Sequence, residues 1–350
     1  MCPPIGSRIV ALASVLLLSS ALAVPADETS TLTEVRRIWD VTRIPDREKT
    51  RIEFPDLIRF QDAWYSAFRE GEIHGNHPTG RVRIIRSSDA EQWESVALLE
   101  WEDGDVRDPK LSITAEGQLM LTACVWFVSL ADHLEIRNTP KSDLEKDVLR
   151  QSVTWLSPDG RNWSSVHLCR SGVNTWRWST TWHNGMGHSI GYHGRDWNGR
   201  LYRTRDGKSW EVLADDIFPP EGYNNETSLV FGPDNTAYCL LRRDGDLNTA
   251  MLGISQFPYD TWDWKDLGVG VLGGPKLIRL TDGRLVAAGR LAGRVTLYWV
   301  DPDAGTLTEF AKADGTSYPG LVEHEGTIWV SYEGRDRLGI DLGKVKIPDK

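Results

Sequence analysis

The residues with the clearest chemical potential lie near the C-terminal end, in the stretch Thr316–Glu333. Its sequence, TSYPGLVEHEGTIWVSYE, predicts two short strands joined by a polar corner, because the second half is β-branched and aromatic. Tyr318 stands just ahead of the first strand with small neighbours on both sides, which leaves its hydroxyl reachable. Such a tyrosine can be a packing residue with a hydrogen-bonded hydroxyl, or a nucleophile if a base removes its proton. The choice depends on what the rest of the chain places beside it.

Three turns of one kind show how the chain is organised into hairpins. Each has the pattern Ser/Thr-x-Asp-(Gly)-x-x-Trp, follows one strand-like run and precedes another. In such a turn the aspartate and hydroxyl side chains bond turn amides, glycine takes the positive φ, and the tryptophan packs beneath the corner. We therefore expect a structural role for these turns, which are Ser87–Trp93, Ser157–Trp163 and Thr204–Trp210.

A second hairpin type recurs at intervals of roughly 45 to 70 residues, a spacing that indicates a repeat fold. The six hairpins begin near residues 55, 109, 178, 228, 276 and 320. Apart from a candidate at Lys141–Leu149, no amphipathic helix of three turns is evident. Six four-stranded units predict an all-β, six-bladed β-propeller, with a β-sandwich as the alternative. Thr33–Val41 is expected to supply a strand to the last blade and close the ring.

In a propeller the inner-strand ends and their loops converge on one face, so residues far apart in sequence meet near the axis. The polar residues at these positions are rich in arginine, with several acids and one tyrosine. They are Arg69–His74 in blade one, Arg107-Asp108-Pro109 in blade two, Trp176–Trp178 and His183 in blade three, Asn225–Thr227 and Arg242–Asp244 in blade four, Arg290 in blade five, and Tyr318 and Glu333 in blade six. Several arginines, a carboxylate beside a tyrosine and a separate acid are the parts of a site that cleaves a carboxylated sugar.

With these motifs the chain resembles the sialidase (neuraminidase) superfamily, and more closely its divergent, secreted, bacterial exo-α-sialidase-like members. The resemblance covers essentially the whole mature chain. It is carried by the three turns described above, which are Asp-box turns in that family, and by the blocks NETSLVFGPDNTAYCLLRRD, GGPKLIRLTDGRLVAAGR and TSYPGLVEHEGTIWVSYEG. It implies a sialidase-like propeller with Tyr318 as the nucleophile and Glu226 as its activating base.

A tyrosine nucleophile has a physical rationale for such substrates. The anomeric carbon of a sialic acid bears a carboxylate, which repels an anionic nucleophile but not a neutral phenol. Tyrosine is a known exception to the two-carboxylate scheme of retaining glycosidases. Because its usual pKa is about 10, a base such as Glu226 must take the proton as the attack proceeds.

The resemblance also implies three arginines that bind the substrate carboxylate, because a guanidinium pairs bidentately with a carboxylate. Arg242 and Arg290 match two of these positions. Arg242 is preferred to Arg243 because it shares strand parity with Leu240.

The third arginine position departs from the family. Here Glu53 stands where the arginine should be, so Arg51 or Arg69 is expected to substitute. Glu333, which braces the missing arginine in the family, is expected to brace another group in the substrate site.

The general acid/base also departs from the family, whose aspartate belongs on the loop after the second strand of blade one. That loop here reads EGEIHGNHPTG and has no aspartate. Asp108 and His74 are the two candidates for the acid, followed by Glu72. Arg107 could set the protonation of Asp108 and is assigned to substrate binding.

Two tryptophans complete the predicted substrate site. Trp176 and Trp178 lie at the blade-three position and are either packing residues or platforms on which a sugar stacks.

Charge and cysteine content limit the partners. The chain has 40 basic and 50 acidic residues, a net charge of −10, which disfavours binding to nucleic acid or an anionic membrane. No cysteine or histidine spacing suggests a metal, so neither a metal nor another cofactor is expected. Cys124, Cys169 and Cys239 are expected to be buried small hydrophobes rather than a disulfide framework.

The first 23 residues predict a secretory signal peptide. Met1–Arg8 carries a positive charge, Ile9–Leu18 is apolar, and Ala21-Leu22-Ala23 has the small-x-small form of a cleavage site. The mature chain, residues 24–350, is then expected to be one catalytic domain, secreted or periplasmic, monomeric and not inserted in a membrane.

The resulting hypothesis is a glycosidase that releases terminal sialic acid, or a related carboxylated sugar, from glycans with retention. One alternative is a hydrolase or lyase on another acidic glycan, with Tyr318 or His74 abstracting a proton in the lyase. The other is a non-catalytic, glycan-binding propeller. The enzyme hypotheses require the Tyr318 hydroxyl within hydrogen-bonding distance of Glu226, with Arg242 and Arg290 facing the same cavity.

Overall fold

The structure is a computed structural model that describes residues 30–45, 50–72, 80–102, 104–127, 150–193 and 198–348. Within these ranges the regular secondary structure is β-strand, apart from one 3₁₀ turn at Val41–Arg43. The expected signal peptide, His74 and the helix candidate Lys141–Leu149 lie outside the described residues.

Two strands precede the first blade, and each of the first three blades uses four consecutive strands. The leading strands are β1 (Ser30–Thr31) and β2 (Thr33–Asp40). Blade one contains β3 (Arg51–Phe60), β4 (Ala63–Gly71), β5 (Arg81–Ser87) and β6 (Glu94–Leu99). Blade two contains β7 (Asp105–Ile113), β8 (Leu119–Trp126), β9 (Arg150–Ser157) and β10 (His167–Val173). Blade three contains β11 (Thr175–His183), β12 (Met186–His193), β13 (Gly199–Thr204) and β14 (Glu211–Ala214).

The last three blades continue the pattern, and the two N-terminal strands join blades five and six. Blade four contains β15 (Tyr223–Phe231), β16 (Ala237–Asp244), β17 (Thr249–Ser255) and β18 (Asp263–Gly270). Blade five contains β19 (Gly273–Arg279), β20 (Leu285–Leu291), β21 (Arg294–Asp301) and β22 (Thr306–Ala313), with β1 parallel to β22. Blade six contains β23 (Gly320–His324), β24 (Thr327–Glu333), β25 (Gly339–Lys346) and β2.

The blades close into a ring, which confirms the predicted six-bladed β-propeller. The first strand of each blade lies against the first strand of the next, and β23 of blade six lies against β3 of blade one. The β2 strand pairs antiparallel with β25, with Arg36 opposite Leu342 and Asp40 opposite Gly339. The predicted closure of the last blade by the N-terminal segment is therefore confirmed.

Apolar side chains from neighbouring blades share cores. At the junction of blades six and one, a buried cluster joins the first and last parts of the propeller, with Ile38 from β2, Ile52 and Leu57 from β3, and Ile340 and Leu342 from β25. Since each face of such a sheet packs on a neighbour, strand residues are buried on both faces, as in the nine-residue β4. The free energy gained from this burial holds the ring together.

The inner strands share an irregularity near their N-terminal ends. In five blades, two residues of the inner strand stand opposite a single residue of the second strand, as in a β-bulge. Proline, which has no amide hydrogen for the ladder, occupies the second position of three of them. The five pairs are Phe54-Pro55, Asp108-Pro109, Trp178-Ser179, Asn225-Glu226 and Gly274-Pro275.

Blade six has a corresponding irregularity immediately before β23. The Thr316 amide donates to the Glu333 carbonyl, and Gly320 is paired with Ser331. Residues 317–319, a segment that ends in proline and has Tyr318 at its centre, therefore stand opposite one residue of β24. Each blade thus carries one such irregularity at the same place.

The three turns with the Ser/Thr-x-Asp pattern are held by their aspartates. The Asp89, Asp159 and Asp206 carboxylates each accept hydrogen bonds from two following amides, at 2.7–2.9 Å. The residue after each aspartate has a positive φ, which a glycine adopts in the second and third turns. These contacts give the turns a structural function.

The predicted burial of the cysteines is confirmed. Cys124, Cys169 and Cys239 are buried and free. The described part of the chain contains no helix long and apolar enough to cross a lipid bilayer.

Candidate active site

The backbone irregularities of the six blades place their side chains and amides around Tyr318. Its ring centroid lies 5.0 Å from that of Phe54 in blade one and 6.2 Å from that of Trp178 in blade three. Blade four supplies Glu226, and blade five supplies the amide of Gly274. Residues that are up to 264 positions apart in sequence, such as Phe54 and Tyr318, therefore meet at one site.

Tyr318 and Glu226 form a hydrogen-bonded pair. The Tyr318 hydroxyl donates to Glu226 Oε1 at 2.6 Å, and the Gly274 amide donates to Glu226 Oε2 at 2.7 Å. Arg242 Nη1 donates both to Glu226 Oε1, at 2.9 Å, and to the Tyr318 oxygen, at 3.1 Å. The contact predicted from the sequence between Tyr318 and Glu226 is thus present.

The electrostatics assign the proton of this pair to Tyr318. Burial acts to raise the pKa of Glu226, but the Arg242 charge and the hydrogen bonds from Tyr318 and Gly274 outweigh it, and the pKa is lowered. Burial and the negative charge of Glu226 raise the pKa of Tyr318 well above its usual value, against Arg242 and Arg290. At neutral pH the site holds a neutral phenol bonded to an ionised carboxylate.

Gly274 allows the close approach of Tyr318. Its φ is +60°, and a Cβ built on it would lie 1.9 Å from Tyr318 Cγ. Any L side chain at position 274 would collide with the ring, so both the backbone conformation and the space require glycine.

Arg242, not Arg243, contacts the pair. The Arg242 guanidinium is also held by Asp244, with Nε 2.8 Å from Oδ2 and Nη2 donating to Oδ1 at 3.1 Å. Burial acts to lower its pKa, but Glu226, Tyr318 and Asp244 raise it overall, so the guanidinium stays charged. Arg243 lies apart from the pair, bonded to Thr249 and Asp266.

Two further arginines lie close to the aromatic rings of the site. The Arg290 guanidinium carbon is 5.4 Å from the Tyr318 ring centroid. The Arg107 guanidinium carbon is 5.3 Å from the ring centroids of both Phe54 and Trp176. These two arginines and Arg242 place three guanidinium groups near Tyr318, with Glu226, Asp244 and Asp108 as their acidic neighbours.

Asp108 lies beside Arg107 in blade two. Its Oδ2 is 3.4 Å from Arg107 Nε, and the negative charge of the carboxylate is among the smaller causes of the raised pKa of Tyr318. Its backbone has a φ of +50°, an unusual conformation for a residue with a Cβ. Such strained residues cluster at functional sites.

Comparison with known proteins finds solved structures with the same fold. No protein-family model matches the sequence, and no curated protein matches it. A protein of unknown function from Dyadobacter fermentans superimposes with a TM-score of 0.75 at 18% identity, covering 93% of this chain and 100% of that chain. A mutant NanB sialidase from Streptococcus pneumoniae superimposes with a TM-score of 0.64 at 11% identity, covering 88% and 72%. The chain therefore shares the propeller fold of solved sialidase structures.

A second group of glycosidases shares the fold. The GH93 α-L-arabinofuranosidase of Fusarium graminearum, in complex with arabinobiose, superimposes with a TM-score of 0.63 at 13% identity, covering 92% of this chain and 97% of that chain. At such identities the likeness establishes the architecture alone.

The blade-one position where the resemblance predicts an arginine is occupied by Glu53, which is tied into a buried ion-pair network. Glu53 Oε2 accepts from Arg69 Nη1 at 3.2 Å, and Asp105 Oδ1 accepts from Arg69 Nε at 2.8 Å. Arg69 has no exposed surface. A contact between Arg69 and substrate would require this network to open, whereas Arg51, the other predicted substitute, lies exposed at the start of β3.

Glu333 lies in the same region, and among the described residues its ion-pair contact with an arginine is long. Burial and the negative charge of Glu53 raise the pKa of Glu333 to about 7. That arginine is Arg337, whose Nε lies 4.0 Å from Glu333 Oε1. Two acids thus stand together where the family pattern predicts an acid and an arginine.

The two predicted tryptophans are deeply buried. Trp176 is 6% exposed and Trp178 is 1% exposed. Trp176 stacks on Tyr192, at an interplanar angle of 11°, and also contacts Trp178. Both therefore act as walls of the site in this structure and offer little face to a sugar.

Lys110 is a site residue that the sequence reasoning missed. It is 4% exposed, and its Nζ lies 5.3 Å from the Trp178 ring centroid and 5.8 Å from that of Tyr318. Burial lowers its pKa. A signal was present, because the Pro-Lys step of Asp108-Pro109-Lys110 recurs as Gly274-Pro275-Lys276 at the same place in blade five.

Two acid/base candidates, Glu72 and His74, belong to the loop after β4, most of which lies outside the described residues. Glu72 immediately follows β4 and is half-buried, while His74 lies outside the described residues. No group of three or more histidine, cysteine, aspartate or glutamate side chains within the described ranges could hold a metal ion.

Proposed function

We propose that this protein is an exported exo-acting glycosidase of the sialidase type, which removes a terminal carboxylated sugar from glycans with retention of configuration. The observation that carries the proposal is the 2.6 Å hydrogen bond from Tyr318, a neutral phenol, to Glu226, an ionised carboxylate. Such a pair is a nucleophile already in contact with its base. The raised pKa of Tyr318 keeps the phenol neutral until substrate arrives.

Each proton has a place in the proposed first half-reaction. The Tyr318 oxygen attacks the anomeric carbon as its proton passes to Glu226 Oε1. The bond from the anomeric carbon to the leaving oxygen breaks, and that oxygen takes a proton from Asp108 or, alternatively, from His74. The product is a tyrosyl-glycosyl intermediate, and Arg242, 3.1 Å from the Tyr318 oxygen, remains beside the bond that forms.

The second half-reaction reverses these transfers. Water attacks the anomeric carbon and gives a proton to the acid/base residue, while the Tyr318 oxygen leaves and recovers its proton from Glu226. Two displacements at one carbon retain the configuration. The net reaction adds one water to one glycosidic bond.

Binding of the substrate carboxylate is assigned to the guanidinium groups around Tyr318. Arg290 and Arg107 lie beside its ring and the neighbouring Phe54 ring, and Arg242 adds a third positive charge. A guanidinium recognises a carboxylate through two parallel hydrogen bonds. Glu53 takes no part in this recognition, since it is an acid bonded to Arg69.

A second candidate is a glycosidase that acts on an uncharged terminal sugar. Glu53 and Glu333 favour it, because two acids occupy the place where an arginine would complete a carboxylate site. One solved structure of this fold is an α-L-arabinofuranosidase in complex with arabinobiose. Assays with a carboxylated and an uncharged substrate distinguish the two candidate functions.

The test is the release of 4-methylumbelliferone from an α-sialoside and from an α-L-arabinofuranoside. Tyr318→Phe should lower kcat/KM by at least about 10³-fold, because the nucleophile is lost. Glu226→Gln should lower it by roughly 10²- to 10⁴-fold, because the base is lost. Tyr298→Phe, a buried tyrosine of blade five, is the matched control and should leave the rate unchanged.

The outcomes discriminate the hypotheses. Turnover of the sialoside supports the first candidate, and turnover of the arabinofuranoside alone supports the second. Wild-type rates in both Tyr318→Phe and Glu226→Gln would overturn the mechanism. Binding of glycans without turnover would favour a glycan-binding propeller.

A further inference from the structure

A fully buried arginine in blade three lacks a counter-charge. Arg177 is 1% exposed, and none of its three guanidinium nitrogens makes a well-aligned hydrogen bond with a described residue, although the Cys169 thiol, a weak acceptor, is close enough to interact with it. One face of its guanidinium lies 3.7 Å from the ring centroid of Trp210. The charges and dipoles that affect it most come from Cys169, Tyr202 and Cys124, none of which is a carboxylate.

Arg69 is a buried arginine of the same protein that does have carboxylate partners, and the comparison shows that the environment of Arg177 is unusual. Arg69 is equally buried, but two carboxylates, Glu53 and Asp105, accept its hydrogen bonds at 3.2 and 2.8 Å. Removing a guanidinium from water without such a partner is strongly unfavourable. Deprotonation does not remove this cost, because arginine stays protonated in proteins. The cation–π contact with Trp210 offsets only part of the penalty.

The groups around Arg177 favour an anion. Tyr202 and Thr175 are buried, and their hydroxyls lie near each other, with Arg200 also near the Tyr202 hydroxyl, but neither hydroxyl forms a well-aligned hydrogen bond with a described residue. Burial raises the pKa of Tyr202, so its phenol stays neutral and keeps a hydrogen to donate. Cys169, Tyr202 and Trp210 also belong to one buried apolar cluster. Donors enclosed by apolar walls suit a small monatomic anion better than a phosphate, which needs more donors.

We propose that Arg177, with the hydroxyls of Tyr202 and Thr175, binds a chloride-sized inorganic anion inside the propeller, between blades two and three. The anion supplies the negative charge that Glu53 and Asp105 supply to Arg69. The site is separate from the Tyr318 pair and does not depend on the proposed glycosidase activity.

The first test measures thermal unfolding of the whole purified protein. Samples contain sodium chloride or sodium isethionate at equal ionic strength, so that general salt effects cancel. The melting temperature should rise by a few degrees with chloride, and with bromide, because a ligand bound only by the folded state stabilises it. Equal melting temperatures in chloride and isethionate at every concentration would overturn the proposal.

Variants test whether the chloride-specific rise in melting temperature comes from the Arg177 site. Arg177→Met should abolish the chloride-specific rise, and Tyr202→Phe, which removes one donor with little change of shape, should shift it to several-fold higher chloride. Arg279→Met, at an exposed arginine, is the matched control and should retain the rise in full. A chloride-specific rise that persists in Arg177→Met would contradict the assignment.

A crystallographic test uses the wild-type protein and so does not depend on whether the variants fold. Crystals grown in sodium bromide should give an anomalous peak within hydrogen-bonding distance of the Arg177 guanidinium. Ordered water alone at that place, under the same bromide concentration, would exclude the anion.

Discussion

Among single residues, Asp108 is the one whose role can be isolated by the choice of substrate. If it protonates the leaving oxygen, Asp108→Asn should lower kcat/KM by roughly 10²- to 10⁴-fold on a sugar–sugar bond. The loss should be much smaller on a methylumbelliferyl glycoside, whose phenolic leaving group needs little protonation. Comparing kcat/KM on the two substrates measures the difference.

The control and the alternative follow from the same comparison. Asp263→Asn, at an exposed aspartate of blade four, should change neither rate. An equal loss on both substrates would exclude Asp108 as the acid and direct the same comparison to His74→Ala.

Glu333 makes the stability of the protein depend on pH near neutrality. Its pKa is about 7 in the folded protein, against an ordinary value of 4.5. Between these values the folded state holds a proton that the unfolded state has lost, so the free energy of unfolding falls as pH rises from about 4.5 to about 7. Since one pKa unit corresponds to about 1.4 kcal/mol, the total contribution is up to about 3 kcal/mol.

Replacement of Glu333 by its uncharged isostere should remove this dependence. Between pH 5 and pH 8, urea unfolding of the wild type should show a steeper fall in stability than Glu333→Gln. Glu325→Gln, at an exposed carboxylate of the same blade, is the control and should follow the wild type. Parallel pH curves for wild type and Glu333→Gln would show that the Glu333 carboxyl is already ionised at neutral pH.

At the scale of the strand, the irregularity at Gly274 can be tested separately from its backbone strain. Gly274→Ala places a methyl group in the Tyr318 ring, so the ring must move away from Glu226. Activity should fall by about 10²-fold or more, because small displacements of a reacting group have effects of this size. The free energy of unfolding should fall by roughly 1–3 kcal/mol.

Gly326→Ala is the matched control. Gly326 also has a positive φ, +69°, but a Cβ there would meet nothing within 4 Å. This variant should lose stability to backbone strain and keep full activity. If the two variants lose equal activity, the contact between position 274 and Tyr318 has no part in catalysis.

The strand irregularities also explain how much of the site could be predicted from the sequence. The hairpin period located all six inner strands, and the motif blocks around Glu226 and Tyr318 identified the two residues that meet. The enclosure of Arg69 could not be predicted, because Glu53 and Asp105 reach it from two other strands whose register no local pattern specifies.

The hydrogen bond from the Gly274 amide to Glu226 also could not be predicted, because it depends on strand register. Its amide points at Glu226 only because two residues of β19 stand opposite one of β20. The repeated steps EFPD, RDPK, GGPK and SYPG at the starts of four blades carry a proline where the ladder is interrupted. Aligning these steps would have brought Lys110 into the predicted site.

At the scale of the whole molecule, stability should depend on the closure of the ring by β2. Ile38→Ala removes a side chain that is 2% exposed and lies in the core shared by blades one and six. We expect a loss of about 2–5 kcal/mol in the free energy of unfolding, measured by urea titration with tryptophan fluorescence. Val35→Ala on the same strand, where the side chain is 50% exposed, should change stability by less than about 0.5 kcal/mol. Similar losses in both variants would mean that β2 contributes only as an edge strand.

The pairing of β2 with β25 has a consequence for when the protein becomes competent. Thr33 is bonded to Lys344, 311 positions along the chain, and contacts over such separations form late in folding. The blade completed by this pairing is the one that presents Tyr318, while its base belongs to a different blade. A chain that is still being synthesised, or is crossing a membrane unfolded, therefore holds the two groups apart. Closure of the ring therefore controls when the proposed activity begins, because Tyr318 and Glu226 come together only after the last strand has paired.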